Sequence, residues 1–428
     1  MPSLFAGTLG FFILLGVPIF LTLLIPVIIF LVMFTDTPAI LVIQRLFSGI
    51  DQFPLMAIPF FILAGNIMAQ GGLSRRLIRL ANSLVSPFSG GLAMTTVASS
   101  MFFAAISGSS PATVIAVGKV MLPAMIKKGY PRAFTIGLLM SSGSLGIIIP
   151  PSIFMIVYGA VTGVSIGALF LAGIGAGVLY GVVFLIVCSV YAKLNSIPRQ
   201  ASWDKVEITA ALKDSLWGLA APMLILGGIY GGIFTPTEAA AVAVFYAAVV
   251  TMLVYRELNF KLMIDCIVQS ALTSGQVMII IAAASAFSWY LTTSGFATSI
   301  SGLLSGMNDN PLLLLLVINL IVICAGMVLD PNSIIIILVP FIAVVADQAG
   351  INPIHLGIVL SVNAAIGMFS PPFGLNLFVA TGLGATYREA IMGSLPFIGA
   401  ALIALLIITY VPQVSLWLPS LVYPGAGL

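Results

Sequence analysis

The sequence predicts an all-α polytopic membrane protein with inverted structural repeats, two re-entrant helical hairpins and two broken helices. Three observations lead to this fold class. Of the 428 residues, 61% are hydrophobic and only 6% are charged. Two helix-breaking motifs lie between residues 107 and 152, and both recur about 220 residues later. The loop after the first hairpin is basic, whereas the matching loop after the second has no Lys or Arg.

The composition places the chain in a lipid bilayer. A soluble domain carries about 25% charged residues and could not bury so many apolar side chains. Apolar runs of about 18 residues are candidate membrane helices, and we count about ten to twelve passes with the hairpins included. The formal net charge of +3 arises in short loops and indicates no nucleic-acid partner. Cys188, Cys266 and Cys324 are far apart, and we expect small buried residues rather than disulfides or a metal cluster.

The first element, residues 3–34, lacks the charged start of a cleavable signal peptide and is expected to remain in the membrane. It forms either one long broken pass or two short ones. Asp36–Asp51 is predicted to be a loop and Phe53–Gln70 a span. Residues 72–85 place four leucines on one helical face and three arginines on the other. That pattern predicts an amphipathic surface helix with its arginines toward lipid headgroups.

The hairpins follow from proline at the start of a second helical arm, where its missing N–H is tolerated. Residues 91–106 enter, the chain breaks at Ser107–Ser110, and a helix restarts at Pro111 with Ser110 as the N-cap. We estimate arms of about 12–16 residues, which are too short to cross about 30 Å. The second hairpin enters over 311–324, breaks at Gly326–Asp330 and returns from Pro331, with Asp330 as the N-cap.

Each hairpin is followed by a span with an internal break. Residues 133–163 break at Gly146–Pro151, and residues 354–383 break at Pro371-Pro372. Lys193–Lys213 and Arg256–Asp265 are predicted surface segments, and residues 291–310 are a loop rich in Gly, Ser and Thr. The remaining predicted spans are 165–191, 215–234, 237–255, 268–290 and 394–412.

The breaks match in pairs. Ser110-Pro111 corresponds to Asp330-Pro331, and Gly146-x3-Pro-Pro corresponds to Gly367-x3-Pro-Pro. Four unrelated proline kinks are the alternative, since membrane helices tolerate them. The shared spacing and dipeptides favour internal repeats, which are typical of transporters with a site at the bilayer midplane.

Loop charge predicts that the repeats are inverted. Lys127, Lys128 and Arg132 follow the first hairpin, whereas the matching loop 347–355 has no Lys or Arg. Positively charged loops face the cytoplasm. The first hairpin is therefore expected to open from the cytoplasm and the second from the opposite side.

Broken helices expose backbone groups that bind ions. Free carbonyls at a helix C-terminus suit a small cation, and free N–H groups at an N-terminus suit an anion. Such backbone survives in a membrane only where it lines a cavity or is buried in protein. We therefore expect a small anionic solute between the two tips and a cation beside each tip. The predicted solute contacts are Ser109, Ser110, Thr113, Ser152, Asp330, Asn332, Ser333 and Asn376.

The cation is predicted to be Na⁺, because the expected ligands are hard, neutral oxygens. Protons are the rival coupling ion and would need a titratable group. The first site is expected from Ser107, Gly108, Ser109, Gly146, Ile149, Pro150 and Pro151. The second is expected from Ala325, Gly326, Leu329, Gly367, Phe369, Ser370 and Pro371.

Several polar residues have two interpretations. Asp330 is either a plain N-cap or an intramembrane functional carboxylate. Five polar residues near the breaks either serve the site or only bond a neighbouring helix, namely Thr113, Asn332, Ser333, Asn363 and Asn376. Lys119 either attracts an anion or extends toward the cytoplasmic surface. His355, at the edge of a span, is interpreted as structural.

No motif indicates an enzyme: a Ser–His pair within one motif, H-E-x-x-H, a Walker loop and an acidic metal pair are all missing. Without an ATP site, the protein is expected either to draw work from an ion gradient or simply to follow one. Two alternatives remain, namely a self-sufficient ion-coupled carrier and an intramembrane enzyme with Ser109 or Asp330 as the catalyst. Uptake by this chain alone favours the first, and product formation without a gradient favours the second.

Five segments carry a family resemblance over nearly the whole chain. They are Leu55-Met-Ala-Ile-Pro-Phe-Phe-Ile-Leu-Ala-Gly65, Phe102-Phe-Ala-Ala-Ile-Ser-Gly-Ser109, Lys128-Gly-Tyr130, Gly146–Ser152 and Pro371-Pro-Phe-Gly-Leu-Asn376. Together they resemble the large membrane subunit of tripartite ATP-independent periplasmic (TRAP) transporters. Where some relatives carry an arginine, this chain reads Leu291-Thr-Thr-Ser-Gly295, so a carboxylate clamp is not expected there.

The resemblance implies a Na⁺-coupled elevator transporter of the bacterial inner membrane with no organic cofactor. It implies two protein partners, a small four-helix membrane subunit and a periplasmic solute-binding protein. The implied cargo is a small organic acid, such as a C4-dicarboxylate, sialic acid or another sugar acid.

The chain is expected to form one integral membrane domain, residues 1–428. Its predicted parts are N-terminal scaffold helices with a surface arm (1–85), a first transport repeat (86–165), scaffold helices with a second arm at 257–266 (166–267), a second transport repeat (268–385) and a C-terminal helix (386–428).

Overall fold

The computed structural model describes residues 2–35, 37–197, 203–295 and 310–423, and every regular element in these ranges is helical. Three shorter turns accompany the α-helices: 3₁₀ turns at Phe53–Met56 and Ser144–Ile147, and a π turn at Val250–Val254. The α-helices are α1 (Pro2–Leu14), α2 (Ile19–Phe34), α3 (Ile40–Ile50), α4 (Ala57–Gln70), α5 (Leu73–Val85), α6 (Gly91–Ser107), α7 (Ser110–Lys127), α8 (Arg132–Gly143), α9 (Ile153–Thr162), α10 (Ile166–Leu194), α11 (Lys205–Tyr230), α12 (Pro236–Val249), α13 (Phe260–Thr293), α14 (Pro311–Gly326), α15 (Pro331–Gln348), α16 (Pro353–Phe369), α17 (Leu375–Gly382), α18 (Tyr387–Tyr410) and α19 (Gln413–Val422).

Eight helical stretches in the described ranges are long and apolar enough to cross a membrane, and seven shorter apolar helices accompany them. Many large apolar side chains remain exposed along these helices, as lipid-facing surfaces require. The prediction of an all-helical, multi-span protein is confirmed.

The N-terminal stretch forms two short helices rather than one long broken pass. The chain turns after α1 at Gly16, whose φ of 69° is a conformation that glycine adopts without strain. Helix α2 packs against α1 and α13. The prediction of a loop over 36–51 is wrong, because α3 occupies most of it. Gly49 in α3 lies so close to α13 that an added Cβ would be 2.2 Å from the Ser285 Cβ.

Helix α5 has the predicted two faces but different partners. Leu73, Leu77 and Leu80 are buried inside the protein, against α6 and α11. Its arginines bind carboxylates of the same chain, so the expectation that they face lipid headgroups is wrong. The ion pairs are Arg75–Glu257 at 2.5 Å, Arg76–Glu257 at 2.6 Å, Arg76–Asp214 at 3.1 Å, Arg79–Glu207 at 2.7 Å and Arg79–Asp214 at 3.5 Å.

Two predicted surface segments belong to longer helices. Helix α11 begins at Lys205 with Asp204 as its N-cap, so only the first half of 193–213 is a connection. The predicted second arm, 257–266, is not a separate helix, because α13 runs unbroken from Phe260 with Asn259 as its N-cap. A helix of 34 residues is about 51 Å long, so a polar first turn can extend beyond an apolar core of about 30 Å. Residues 296–309 of the predicted loop lie outside the described ranges.

Both predicted helix breaks are present. The first break separates α8 from α9, and the second separates α16 from α17. The two helix pairs that precede them are α6–α7 and α14–α15, and each pair packs side by side. Their arms contain 16 to 18 residues, longer than the predicted 12–16. By length alone, α7 and α15 could cross a membrane.

Helix α18 relates the two helix pairs to each other. Arg132, in the segment after α6–α7, pairs with Glu389 at the start of α18 at 3.3 Å. Tyr410, at the end of α18, donates a hydrogen bond to the Leu312 carbonyl at the start of α14 at 3.3 Å. The 24 residues of α18 span about 36 Å. The open ends of the two pairs therefore lie at opposite ends of this helix.

The packing divides the helices into two groups. Helices α1–α5 and α11–α13 contact one another, with α4 against α12 and α13. Helices α6–α10 and α14–α19 form the second group, in which α8 packs on α18 and α10 contacts α6, α16 and α18. Gly137 and Gly393 let α8 and α18 approach closely, since a Cβ on Gly137 would lie 1.9 Å from the Gly393 carbonyl oxygen. Helices α4, α5, α11 and α13 also contact the second group, and the contact between α5 and α6 is one of the most extensive between any two helices.

Candidate solute site between two helix turns

Tip 1 is the turn between α6 and α7, formed by Gly108 and Ser109. Gly108 ends α6 in the left-handed conformation, with φ 60°. Ser109 is extended, with φ −137° and ψ 127°, and is the N-cap of α7. The prediction of Ser110 as the N-cap is wrong, because Ser110 is already helical and its hydroxyl bonds a distant side chain. The N-terminus of α7 has no side-chain cap.

Two buried hydroxyls stabilise tip 1. Ser107 Oγ and Thr113 Oγ1 are 3.0 Å apart, and Thr113 Oγ1 donates to the Ser109 carbonyl at 2.8 Å. Thr113 has no exposed surface. Its hydroxyl fixes the Ser109 carbonyl in direction and places Ser107 beside it.

Tip 1 contacts the first break through backbone atoms. A Cβ on Gly146 would lie 2.6 Å from the Ser109 carbonyl oxygen, and one on Gly108 would lie 2.5 Å from the Pro151 carbonyl oxygen. The Ile153 amide donates to the Gly108 carbonyl at 3.4 Å. Only glycine permits these approaches, which bring carbonyl oxygens of both segments together.

Tip 2 is the turn between α14 and α15, formed by residues 327–330. The prediction that Asp330 is the N-cap of α15 is confirmed. Its carboxylate accepts hydrogen bonds from the amides of Asn332 at 3.0 Å and Ser333 at 3.3 Å, and from the Ser333 hydroxyl. All of these donors belong to its own helix.

Tip 2 contacts the second break as tip 1 contacts the first. A Cβ on Gly367 would lie 2.6 Å from the Gly326 Cα and 2.7 Å from its carbonyl oxygen. The Phe373 amide donates to the Met327 carbonyl at 3.0 Å. Each tip therefore contacts the helix break that follows it in the chain, tip 1 the first break and tip 2 the second.

Two hydrogen-bonded bridges connect the two halves of the chain. Asn376, after the second break, is completely buried and donates to Ser110 Oγ at 2.9 Å and to the Met140 carbonyl at 2.9 Å. Ser361 donates to the Ile147 carbonyl at 2.8 Å. Each bridge runs from the second broken span to the first helix pair or the first broken span.

The two tips line one cavity of about 410 Å³, a size typical of small-molecule sites. Helices α4 and α13 form its opposite wall. Asp330 is the ionisable residue of its described lining, and the rest is apolar or neutral. Nine lining positions come from the end of α6, the two tips and the first turns of the helices that follow them: Ser107, Gly108, Ser109, Ser110, Pro111, Ala112, Asp330, Pro331 and Asn332.

Four predicted solute contacts lie on this cavity, namely Ser109, Ser110, Asp330 and Asn332. The other four, Thr113, Ser152, Ser333 and Asn376, are buried and absent from its lining. Each of the four is hydrogen-bonded inside the protein. Ser152 Oγ, for example, donates to the Ile147 carbonyl at 2.7 Å.

The predicted ion ligands fall into two sets. Ser107, Gly108, Ser109 and Gly146 converge with Pro151, and Gly326 faces Gly367, as described above. The others lie around these contacts. In the first set, Ile149 packs on Gly177, and Pro150 is joined to Pro151 by a cis bond. In the second set, the Ala325 carbonyl accepts a hydrogen bond from the Leu329 amide at 2.7 Å, and Phe369 is fully buried. Ser370 Oγ donates to the Ile366 carbonyl at 2.7 Å, and Pro371 is joined to Pro372 by a cis bond.

Sequence reasoning missed the polar wall opposite the tips. Asn66 on α4 and Thr273 and Gln276 on α13 line the cavity. Asn66 Nδ2 donates to Ser270 Oγ at 2.8 Å, which joins α4 to α13. The sequence did contain one signal for this wall, since Asn66 is an amide side chain inside a long apolar run. The helices of a membrane bundle direct such polar groups toward the interior of the bundle.

The donor set fits a hard monovalent cation. At tip 1 the neighbouring oxygens are backbone carbonyls and the Ser107 and Thr113 hydroxyls, and at tip 2 the Gly326 carbonyl lies against Gly367. All of these are neutral oxygens. Among the described residues, no group of three or more His, Cys, Asp or Glu side chains could hold a metal ion.

A multi-span helical protein whose broken helices line a shared cavity has the construction of a membrane transporter. The chain belongs to the family described as tripartite ATP-independent periplasmic transporter, DctM component, whose family model matches residues 6–414. It is thus a multi-pass bacterial membrane protein, a transporter permease and not an enzyme.

The curated relatives match most of the chain. It is 44% identical over 381 residues, 88% of each chain, to the C4-dicarboxylate TRAP transporter large permease protein DctM of Pseudomonas aeruginosa. It is 37% identical to the ectoine permease TeaC of Halomonas elongata, covering 99% of this chain and 100% of that one. It is 39% identical to the isethionate permease DctMQ of Oleidesulfovibrio alaskensis, covering 97% of this chain and 66% of that one.

The fold is similar to a solved structure, the YdaH transporter of Alcanivorax borkumensis. The TM-score is 0.64, and the match covers 93% of this chain and 97% of that chain at 14% identity. At that identity the likeness concerns the fold alone.

Proposed function

We propose that this permease carries a small organic anion, held in the cavity between the two tips. The observation that carries the proposal is that both tips, from two halves of the chain, line the same cavity. The relatives named for C4-dicarboxylate, ectoine and isethionate set the size class of the solute. C4-dicarboxylates are the class we favour, with sialic acid and other sugar acids as the alternatives.

The two helix starts at the cavity differ in charge. The N-terminus of α7 has no side-chain cap, whereas Asp330 caps that of α15. A free helix N-terminus favours an anion, and a carboxylate disfavours one. We therefore place one acidic group of the solute at Ser109 and Ser110, on the side of the cavity away from the Asp330 carboxylate.

The proposed mechanism is an elevator, in which one group of helices moves against the other. The open ends of α6–α7 and α14–α15 at opposite ends of α18 support inverted, re-entrant hairpins. The cavity lies between α4 and α13 on one side and both tips on the other, at the boundary between the two packing groups. We propose α6–α10 and α14–α19 as the mobile part. This assignment differs from the sequence prediction in two helices. Helix α10, predicted to belong to the scaffold, joins the mobile part, and most of α13, predicted to belong to the second transport repeat, joins the scaffold.

Na⁺ is the proposed coupling ion. Ser107, Ser109, Gly146 and Pro151 would hold one ion beside tip 1, and residues around Gly326 and Gly367 would hold another beside tip 2. A bound cation supplies positive charge next to an anionic solute. The chain's own part is to keep both turns rigid, through Thr113 at tip 1 and through Asp330 at tip 2.

The proposed partners are a small four-helix membrane subunit and a periplasmic solute-binding protein. The family description names a tripartite system, and DctMQ is longer than this chain, as a fusion with a second component would be. A self-sufficient carrier is the second candidate. Succinate uptake by proteoliposomes that contain only this chain would favour the self-sufficient carrier over the tripartite system.

The test of the proposed function is uptake by the reconstituted system with candidate binding proteins. Liposomes receive radiolabelled succinate and a panel of sugar acids, with an inward gradient of Na⁺, K⁺ or protons. We expect uptake only with a binding protein and only with the Na⁺ gradient. Equal uptake with a proton gradient alone would reject Na⁺ coupling.

A further inference from the structure

A second cavity, of about 300 Å³, lies beside the solute site, and we refer to it as the α5 groove. Its walls are one face of α7, from Ala112 to Val120, and the end of α4 with the start of α5. It shares Asn66, Ala112 and Ile115 with the solute cavity, so the two adjoin along α7. Small residues, Ala112 and Ala116, keep this face of α7 open.

The α5 groove contains an uncapped helix start. Helix α5 begins at Leu73, its N-cap is Gly72 in the left-handed conformation, and no side chain caps it. Gly72, Ser74 and Arg75, all from this first turn, line the groove. The N–H groups of a first helical turn carry partial positive charge and favour an anion.

A buried hydroxyl in the same turn has no partner. Ser74 is 7% exposed, it lines the groove, and its Oγ has no hydrogen-bond partner among the described residues. A buried polar atom without a partner is costly unless a ligand or water satisfies it. Ser74 therefore indicates a ligand that the helix start alone would not establish.

The charge of the groove is positive. Lys119 lines it and makes no ion pair within the described part of the chain. Arg75 also lines it, but Glu257 neutralises its charge. The Glu257 carboxylate lies against Gly72 and is shared between Arg75 and Arg76, so it is not free to repel an anion.

A neighbouring cavity has the opposite character. It shares Asn66 and Thr273 with the solute site, and its lining includes Asp265, Gln269 and Gln70. Two routes thus diverge at Asn66, one lined by Lys119 and one lined by Asp265. Arg75 at the start of α5 and Asp265 near the start of α13 lie close to the basic segments of the chain, and the positive-inside rule places these segments in the cytoplasm.

We propose that the α5 groove is a carboxylate-binding vestibule on the cytoplasmic side, in which Lys119, the Ser74 hydroxyl and the first turn of α5 bind the solute as it leaves the tips. This inference rests on the proposed transport of an organic anion. A lipid phosphate offers the same chemistry, so the experiment separates the two sources.

The experiment measures local charge through cysteine modification. Cys324 is exposed and is replaced by serine, while Cys188 and Cys266 are buried and stay. Ala116→Cys places a thiol in the α5 groove, and Gln269→Cys places a matched thiol beside Asp265. The full-length permease, in phosphatidylcholine nanodiscs, reacts with an anionic and a cationic methanethiosulfonate of similar size.

We expect the Ala116→Cys variant to favour the anionic reagent by about tenfold relative to the Gln269→Cys variant, since a charged cleft concentrates counter-ions by that order. Lys119→Gln should remove most of the preference. Succinate should protect the thiol introduced in the groove, and Lys119→Gln should abolish that protection. Equal reaction of both reagents with the Ala116→Cys variant would overturn the proposal. Protection by phosphatidylglycerol without protection by succinate would overturn the assignment to the solute in favour of a lipid.

The preference of the introduced thiol for the anionic reagent can be measured without transport. The succinate uptake described above does not depend on the α5 groove binding an anion. Loss of uptake with a preserved preference would therefore count against the proposed function alone. Loss of the preference with preserved uptake would count against the vestibule alone.

Discussion

Gly326 and Gly367 are in direct backbone contact, and this contact leaves no room for a side chain on Gly367. A Cβ on Gly367 would lie 2.6 Å from the Gly326 Cα, and its nearest neighbours are backbone atoms that cannot rotate away. This contact joins tip 2 to the second broken helix. Gly146 and Ser109 make the matching contact at tip 1.

We predict that Gly367→Ala separates tip 2 from the broken helix. Overpacking of this kind costs about 1–3 kcal/mol of stability and shifts the backbone. Uptake should fall at least tenfold, and thermal unfolding in detergent should occur at a lower temperature. Gly399→Ala is the matched control, since nothing lies within 4 Å of a Cβ there. A variant at Gly367 with normal uptake would show that this contact is dispensable.

The hydrogen bond between Ser110 and Asn376 links tip 1 to the second half of the chain. Asn376→Ala leaves Ser110 Oγ and the Met140 carbonyl without this donor, which costs about 1–3 kcal/mol because both sites are buried. A double-mutant cycle with Ser110→Ala should give a coupling energy of about 0.5–1.5 kcal/mol in thermal or chemical unfolding. Strictly additive effects of the two substitutions would contradict a direct link.

Asp330 is predicted to act mainly by holding the turn, because its hydrogen bonds all go to its own helix. Asp330→Ala removes the cap, which costs about 0.5–2 kcal/mol, and should reduce uptake strongly while the protein still folds. Asp330→Asn keeps an acceptor oxygen and should recover most of the uptake. If the asparagine variant is as inactive as the alanine variant, the negative charge itself is required.

Ser107 is predicted to be a Na⁺ ligand at tip 1. Ser107→Ala should raise the Na⁺ concentration for half-maximal uptake by about tenfold, which corresponds to about 1.4 kcal/mol of lost binding. The measurement is uptake against external Na⁺ with choline as the replacement cation. Ser99→Ala on the same helix is the control, since Ser99 is equally buried but is absent from the lining of the solute cavity. An unchanged Na⁺ dependence in Ser107→Ala would remove this residue from the site.

The pairing of Glu257 with α5 predicts a pH dependence of stability. Burial alone would raise the pKa of Glu257, but hydrogen bonds and charge from Arg76 and Arg75 outweigh it and hold the pKa below its usual value. A lowered pKa stabilises the fold at neutral pH, and this contribution is lost as the pH falls below about 4, the range of an unperturbed Glu. Glu257→Gln should therefore unfold at a lower temperature than the native chain at pH 7, and the gap should close at acidic pH. A gap that does not narrow as the pH falls below the range of an unperturbed Glu would contradict this assignment.

The sequence predicted the breaks well because proline and glycine act locally. A Pro-Pro step ends a helix wherever it occurs, and Asp before Pro caps the next helix with its own side chain. For this reason the breaks near Pro150 and Pro371 and the Asp330 cap were all found. The Ser110 cap was placed one residue late, because the hydroxyl that caps a helix and one that bonds a distant Asn376 look alike in sequence.

The sequence could not show which residues pair with the charged side chains of an amphipathic segment, or which helices cover its apolar face. Residues 40–50 and 73–85 show helical spacing, but what covers their faces depends on partners far away in the chain. The arginines of α5 bind Asp214, Glu207 and Glu257, which come from segments more than a hundred residues later. The polar wall of Asn66 and Gln276 was missed for the same reason.

The sequence by itself determined that the chain is helical and membrane-spanning and where its helices break, whereas the internal repeats that the matched breaks indicate stay a prediction. These properties follow from composition and from the short-range conformational limits of proline and glycine. Only the tertiary structure decided which breaks touch, that both tips share one cavity, and which of the candidate polar residues reach it. Those facts depend on how helices separated by hundreds of residues pack, and a local pattern carries no information about that packing.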